Sequence, residues 1–117
     1  VVDYSSPNIH VFKGPEFERL SCNQKSELTS LESQVTNLYN RMAYQLSPLF
    51  DNDLESILTG PVLPGTVQLT PSGKLIVLMR DCQTTGGYPR VLQLTESAIN
   101  LLSQKKEKDK IVFKLVE

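Results

Sequence analysis

The stretch Thr66-Val67-Gln68-Leu69-Thr70-Pro71-Ser72-Gly73-Lys74-Leu75-Ile76-Val77-Leu78-Met79 decides the fold. Thr66 to Thr70 alternates as a strand does, Pro71-Ser72-Gly73 supplies turn residues, and Lys74 to Met79 returns the chain. The stretch therefore reads as a hairpin. Its second arm carries the most information. From Leu75 to Met79 both faces are apolar, the pattern of a central or barrel strand and not of a solvated edge.

Working upstream, Pro61, Pro64 and Gly65 mark a sharp turn, and Pro48 with Asp51-Asn52-Asp53 marks a loop. Val35 to Leu46 reads as one continuous strand, with Leu38, Met42, Tyr44 and Leu46 on one face and Asn40 among them. A carboxamide on that face needs partners, since a buried unpaired amide costs about 1–3 kcal/mol. Nearer the start, Ile9-His10-Val11-Phe12 is a short strand. Gly14-Pro15 opens a turn, and Phe17 and Leu20 share one helical face. The polar run from Ser21 to Ser30 reads as a surface loop with room for a helical turn. Downstream, Arg90 to Leu94 is a strand, and Thr95 caps a helix that points Ala98, Leu101 and Leu102 at a core. Lys105 to Lys110 is a solvated mixed-charge turn, and Ile111 to Val116 is a closing strand. Many short strands with few helices make the chain mainly β, a closed or nearly closed barrel with one or two short helices.

Composition narrows the function. The chain has 117 residues, enough for one core, so 1–117 is read as a single domain. Charged residues make up 21% and the formal net charge is −1, which gives no electrostatic reason to seek nucleic acid or an anionic membrane. No apolar run is long enough to span a bilayer, and Val1-Val2-Asp3-Tyr4 does not open like a signal peptide. The absence of an initiator Met suggests a start inside a longer protein. Cys22 and Cys82 lack metal-type spacing and read as thiols of a reducing cytoplasm. His10 is the sole histidine, and nothing pairs it with a nucleophile or a second metal ligand.

The most unusual segment is Arg80-Asp81-Cys82-Gln83-Thr84-Thr85-Gly86-Gly87-Tyr88-Pro89-Arg90. Paired glycines free the backbone so that consecutive N–H groups can converge on an anion or a carbonyl oxygen. Donors and acceptors of several kinds flank them. The segment is expected to form a rigid polar cradle at the mouth of the barrel. Against this stands the plain reading, a Gly-Gly turn between strands.

Four segments occur in order: Asn40-Arg41-Met42-Ala43-Tyr44; Gly60 with Leu63-Pro64-Gly65-Thr66-Val67-Gln68-Leu69; Pro71 to Leu78; and Asp81 with Gln83-Thr84-Thr85-Gly86-Gly87-Tyr88-Pro89. Together they resemble the family of allophanate hydrolase subunit 2, KipA and the C subunit of 5-oxoprolinase, whose module also occurs in biotin-dependent carboxyltransferases such as urea carboxylase. Ala43 stands where the family usually has Gly, and Lys105 to Lys110 replaces a usual Pro-Gly-Asp turn.

The resemblance implies a cyclophilin-like β-barrel and places the chain as the C-terminal half of a longer subunit, its N-terminal half absent here. It implies a subunit 1 (KipI-like) partner and a small amide or urea substrate, with ATP or biotin used by the full complex and no cofactor bound by this domain alone. Both chemistries build negative charge on an amide or ureido oxygen, which preorganised donors stabilise. The expected catalytic set is Asp81, Gln83, Thr84, Thr85 and Tyr88. The expected binding set is Asn40, Arg41, Gly86 and Gly87. Arg41 has two readings: a rim arginine with its head in water, or a fork that holds a carboxylate. A KipA-like interaction module that binds a KipI-type kinase inhibitor is the alternative function. Peptidyl-prolyl isomerase activity rests on fold analogy alone.

Overall fold

A computed structural model describes residues 6–40, 42–47, 49–52, 54, 57, 60–80, 82 and 85–116. In chain order the elements are β1 (Asn8–Lys13), a 3-10 turn (Phe17–Arg19), α1 (Cys22–Leu28), β2 (Glu32–Tyr39), β3 (Ala43–Ser47), β4 (Gly60–Pro61), β5 (Thr66–Leu69), β6 (Leu75–Leu78), β7 (Thr85–Gly86), β8 (Arg90–Leu94), α2 (Glu96–Leu102) and β9 (Lys110–Leu115). Strands β1-β8-β5-β6-β3-β2-β9 form a closed barrel, and β4 and β7 pair as a separate ribbon. The chain is mainly β with two short α-helices, as the strand periodicity predicts.

Closure depends on β1 pairing in parallel with β9, Ile9 opposite Phe113 and Val11 opposite Leu115, while the other pairings are antiparallel. Alternation sends Ile9, Val11, Val35, Leu46, Val67, Leu69, Leu75, Val77, Leu92, Ile111 and Phe113 inward, where they are buried. Each such side chain contributes about 1.5–3 kcal/mol by leaving water. Two glycines make tight turns possible. Gly65 (φ 92) ends the approach to β5, and Gly73 (φ 94) closes the β5–β6 hairpin.

Both ends of the barrel are plugged. The end at which β6 finishes is covered by α2, whose Ala98, Ile99 and Leu102 join the core. The opposite end is filled by Phe17, Leu20, Leu28 and Phe50. Tyr44 also reaches towards α2, its hydroxyl donating to the carbonyls of Lys105 (3.2 Å) and Ser103 (3.3 Å).

Two local readings change. Val35 to Leu46 is not one strand but the hairpin β2–β3, with Asn40 at its turn. Ser21 to Ser30 is largely helix. Ser21 and Gln24 form a capping box, which satisfies the first backbone donors, and Leu28 anchors the helix in the core.

Candidate functional site

Cross-strand register lines up four outward-facing side chains on the barrel wall: Gln45 opposite Ile76, Ile76 opposite Gln68, and Gln68 opposite Arg90. An outward face of a barrel strand ordinarily meets water. Along β5 and the residue after it this fails: Thr66, Gln68 and Thr70 are all buried. Of two long connections, the first touches this face through described residues: Asn52 Nδ2 donates to the Thr70 carbonyl (3.1 Å) and the Leu63 N–H to the Thr66 hydroxyl oxygen (3.1 Å). Residues 49–65 start at the Phe17–Phe50 end, where the Phe50 N–H donates to the Gly73 carbonyl (2.7 Å), and finish at the α2 end, where the Gly65 N–H donates to Leu78 (2.6 Å). Residues 79–89 run the other way, from Met79, whose N–H donates to Met42 (2.9 Å), to Pro89, whose carbonyl accepts from Leu69 N–H (3.0 Å). Where they pass, Gly60 and Pro61 pair with Gly86 and Thr85 as the β4–β7 ribbon.

This corrects the expected position of the Gly-Gly loop. With both barrel ends filled, its described part lies along the wall and not at the mouth. Thr85 is exposed, Gly86 is buried and Gly87 is half-buried, and the Gly87 carbonyl accepts from Ile57 N–H (2.9 Å). Tyr88 is 39% exposed. Both Tyr88 and Thr85 therefore lie at the protein surface. Asp81, Gln83, Thr84 and Arg41 lie outside the described residues.

An ion pair fixes the ribbon to the wall. The Glu16 carboxylate accepts from the Arg90 backbone N–H (2.8 Å), Nε (2.8 Å) and Nη2 (2.9 Å). The remaining arm, Nη1, donates to the Pro61 carbonyl (2.8 Å). A Cβ on Gly60 would sit 3.2 Å from that Nη1, so a small residue lets the ribbon settle against the guanidinium. Burial works against the charged Glu16, yet the hydrogen bonds and charge of Arg90, with Arg19 beyond, hold its carboxyl below the ordinary value. The same hydrogen bonds raise Arg90 further above its already high value. Arg90 is thus committed to the scaffold.

Asn40 is exposed and shapes its own turn: its Oδ1 accepts from the N–H groups of Met42 (2.8 Å) and Ala43 (3.1 Å). Beside it, Asn37, Leu38, Tyr39, Ala43, Gln45 and Ile76 line a shallow depression of about 360 Å3. Ile76 links this depression to the covered strip, because it is also the neighbour of Gln68. The structure therefore puts Asn40 and the Thr85–Tyr88 segment on the same outer wall, separated by the row from Gln45 to Arg90. Glu16 escapes sequence reasoning because its partner lies 74 positions away and no local pattern announces the pair.

Residues 2–115 match the family described as carboxyltransferase domain, subdomain A and B. The chain belongs to that family. This carboxyltransferase-family chain is 35% identical over 98 residues to the 5-oxoprolinase C subunit of Escherichia coli (strain K12), covering 82% of the chain and 32% of that protein. It is 42% identical over 52 residues to the Haemophilus influenzae 5-oxoprolinase C subunit, covering 44% and 17%. The Kluyveromyces lactis urea carboxylase structure superposes on all of the chain and on 11% of its own, with TM-score 0.87 and 15% identity, which establishes likeness of fold. The chain spans about a third of the length of the Escherichia coli relative. Among the described residues, no helix is long and apolar enough to cross a membrane, and no cluster of His, Cys, Asp or Glu could hold a metal ion.

Proposed function

We propose that this carboxyltransferase-family domain works as the C-terminal half of a protein resembling the 5-oxoprolinase C subunit, acting on a small amide or urea. The reaction is ATP-dependent 5-oxoproline hydrolysis or carboxyl transfer, carried out in the cytoplasm with an N-terminal half and a subunit 1 (KipI-like) partner. ATP or biotin belongs to the full complex, with no cofactor held by this domain alone. The observation that carries the reading is the identity to the Escherichia coli protein, which spans most of this chain. The polar strip on the barrel wall supports it physically.

In this reading the Thr85 hydroxyl, the Tyr88 phenol and the Gly86–Gly87 backbone supply donors to the developing negative charge on the amide or ureido oxygen. Thr84 joins these donors, Gln83 and Asn40 orient the amide, Arg41 holds a carboxylate, and Asp81 holds the loop or accepts a proton. In the full complex, Thr85→Ala or Tyr88→Phe lowers turnover by at least about tenfold, and by about 100- to 1,000-fold where the lost group is a full oxyanion donor. Unchanged turnover in both removes the loop from the mechanism.

One observation favours a second reading, a KipA-like module that binds a KipI-type inhibitor. Leu38 and Met42, on the β2–β3 hairpin, are 57% and 52% exposed, beside a partly exposed Tyr39. Clustered exposed apolar side chains mark interaction surfaces. Partner binding without 5-oxoproline turnover in a complete complex is the outcome that selects this reading.

A further inference from the structure

Gln68 is 2% exposed, and its side-chain Nε2 is fully buried without a hydrogen-bond partner. Buried amides in folded proteins are nearly always paired, and an orphaned donor opposes folding by the full cost of its lost hydration. A Leu or Met at this position on the outer face of β5 would avoid that penalty. Two further features surround Gln68. The pairing of β5 with β8 shifts register at this residue: Val67 faces Leu92 while Gln68 faces Arg90, leaving Val91 as the extra residue. Such bulges re-aim side chains and gather beside active sites. The opposing Arg90 is the residue that anchors the β4–β7 ribbon through the Pro61 carbonyl.

We propose that Gln68 is a ligand-binding residue whose carboxamide donates from the barrel wall to the carbonyl or carboxylate oxygen of a small amide held between β5 and the β4–β7 ribbon. The proposal rests on the reading of the substrate as a small amide or urea and adds a specific contact to it. Arg90 is held to the scaffold instead, its Nε and Nη2 on the Glu16 carboxylate and its Nη1 on the Pro61 carbonyl. Gly86, the buried residue of the β7 strand, approaches the same ligand from the other side.

The test uses the full-length protein together with its companion protein and sets wild type against Gln68→Met and, as a second variant, Gln68→Leu. Both substitutions remove the orphaned donor, so the melting temperature without ligand holds or rises. 5-Oxoproline and allophanate are the probes. At least one raises the melting temperature of the wild type, and the variants bind it roughly tenfold more weakly, as loss of a neutral hydrogen bond predicts. Equal ligand shifts in wild type and variants overturn the proposal, as does a wild type that neither probe stabilises. ATP-dependent 5-oxoproline turnover is read separately. Turnover with equal ligand shifts sinks the Gln68 contact alone. A ligand shift lost in the variants, in a wild type without turnover, sinks the catalytic reading alone.

Discussion

Glu16 and Arg90 show how much of this wall is decided by single side chains. Each is largely buried, and their pairing leaves neither charge uncompensated. The Glu16 carboxyl titrates below its ordinary 4.5 in the folded protein. Its contribution is therefore complete above that value and is lost as pH falls through the depressed folded value. Glu16→Gln should lower stability at pH 7 by about 1.5–3 kcal/mol, the range for hydrogen bonds to a charged group. The gap should close as the pH is taken below 4.5, read by thermal denaturation of both proteins. A gap independent of pH would mean that the charge contributes nothing. None of this is legible in the sequence, where Glu16 follows a Gly-Pro turn like any surface acid. Gln68 is legible only as an outward position of a strand. Its burial depends on long-range packing that alternation does not reveal.

At the scale of elements, hydrophobic alternation places the β5–β6 hairpin, β1, β8, β9 and the Thr95 cap of α2 close to where they lie. It fails at Val35 to Leu46 for a definite reason. Inward residues are odd-numbered in β2 (Ser33, Val35) and even-numbered in β3 (Tyr44, Leu46), so the face changes across the turn. A single alternating strand groups Leu38 with Tyr44, and Leu38 is in fact exposed. Asn40 is the visible clue, because a side chain that hydrogen-bonds the backbone just ahead is a turn residue. Asn40→Ala should cost about 1 kcal/mol in denaturant unfolding, while Asn40→Asp keeps both acceptor bonds and most of the stability. Equal losses in the two variants would show that the Oδ1 contacts do not hold the turn. The helix at Cys22–Leu28 is likewise written in the Ser21 and Gln24 spacing, and is easily missed because one buried leucine makes a weak apolar stripe.

For the whole molecule, the barrel follows from strand number and apolar pattern, but its closure does not. β1 and β9, from opposite ends of the chain, pair in parallel, a long-range contact without a local signal. That closure, with α2 filling one end and Phe17, Leu28 and Phe50 the other, leaves the polar Gly-Gly segment only the outer wall. The family likeness supplies the residues of the candidate site, and among the described residues the packing places Asn40 and the Thr85–Tyr88 segment on the outer wall. Hydrogen–deuterium exchange on the full-length protein, with and without saturating 5-oxoproline, tests that placement most directly. Ligand should slow exchange in residues 60–70 and 85–90, the two sides of the ribbon-covered wall, and leave α1 and α2 unchanged. Protection confined to those two helices would put the ligand at a barrel end and contradict a site on the wall.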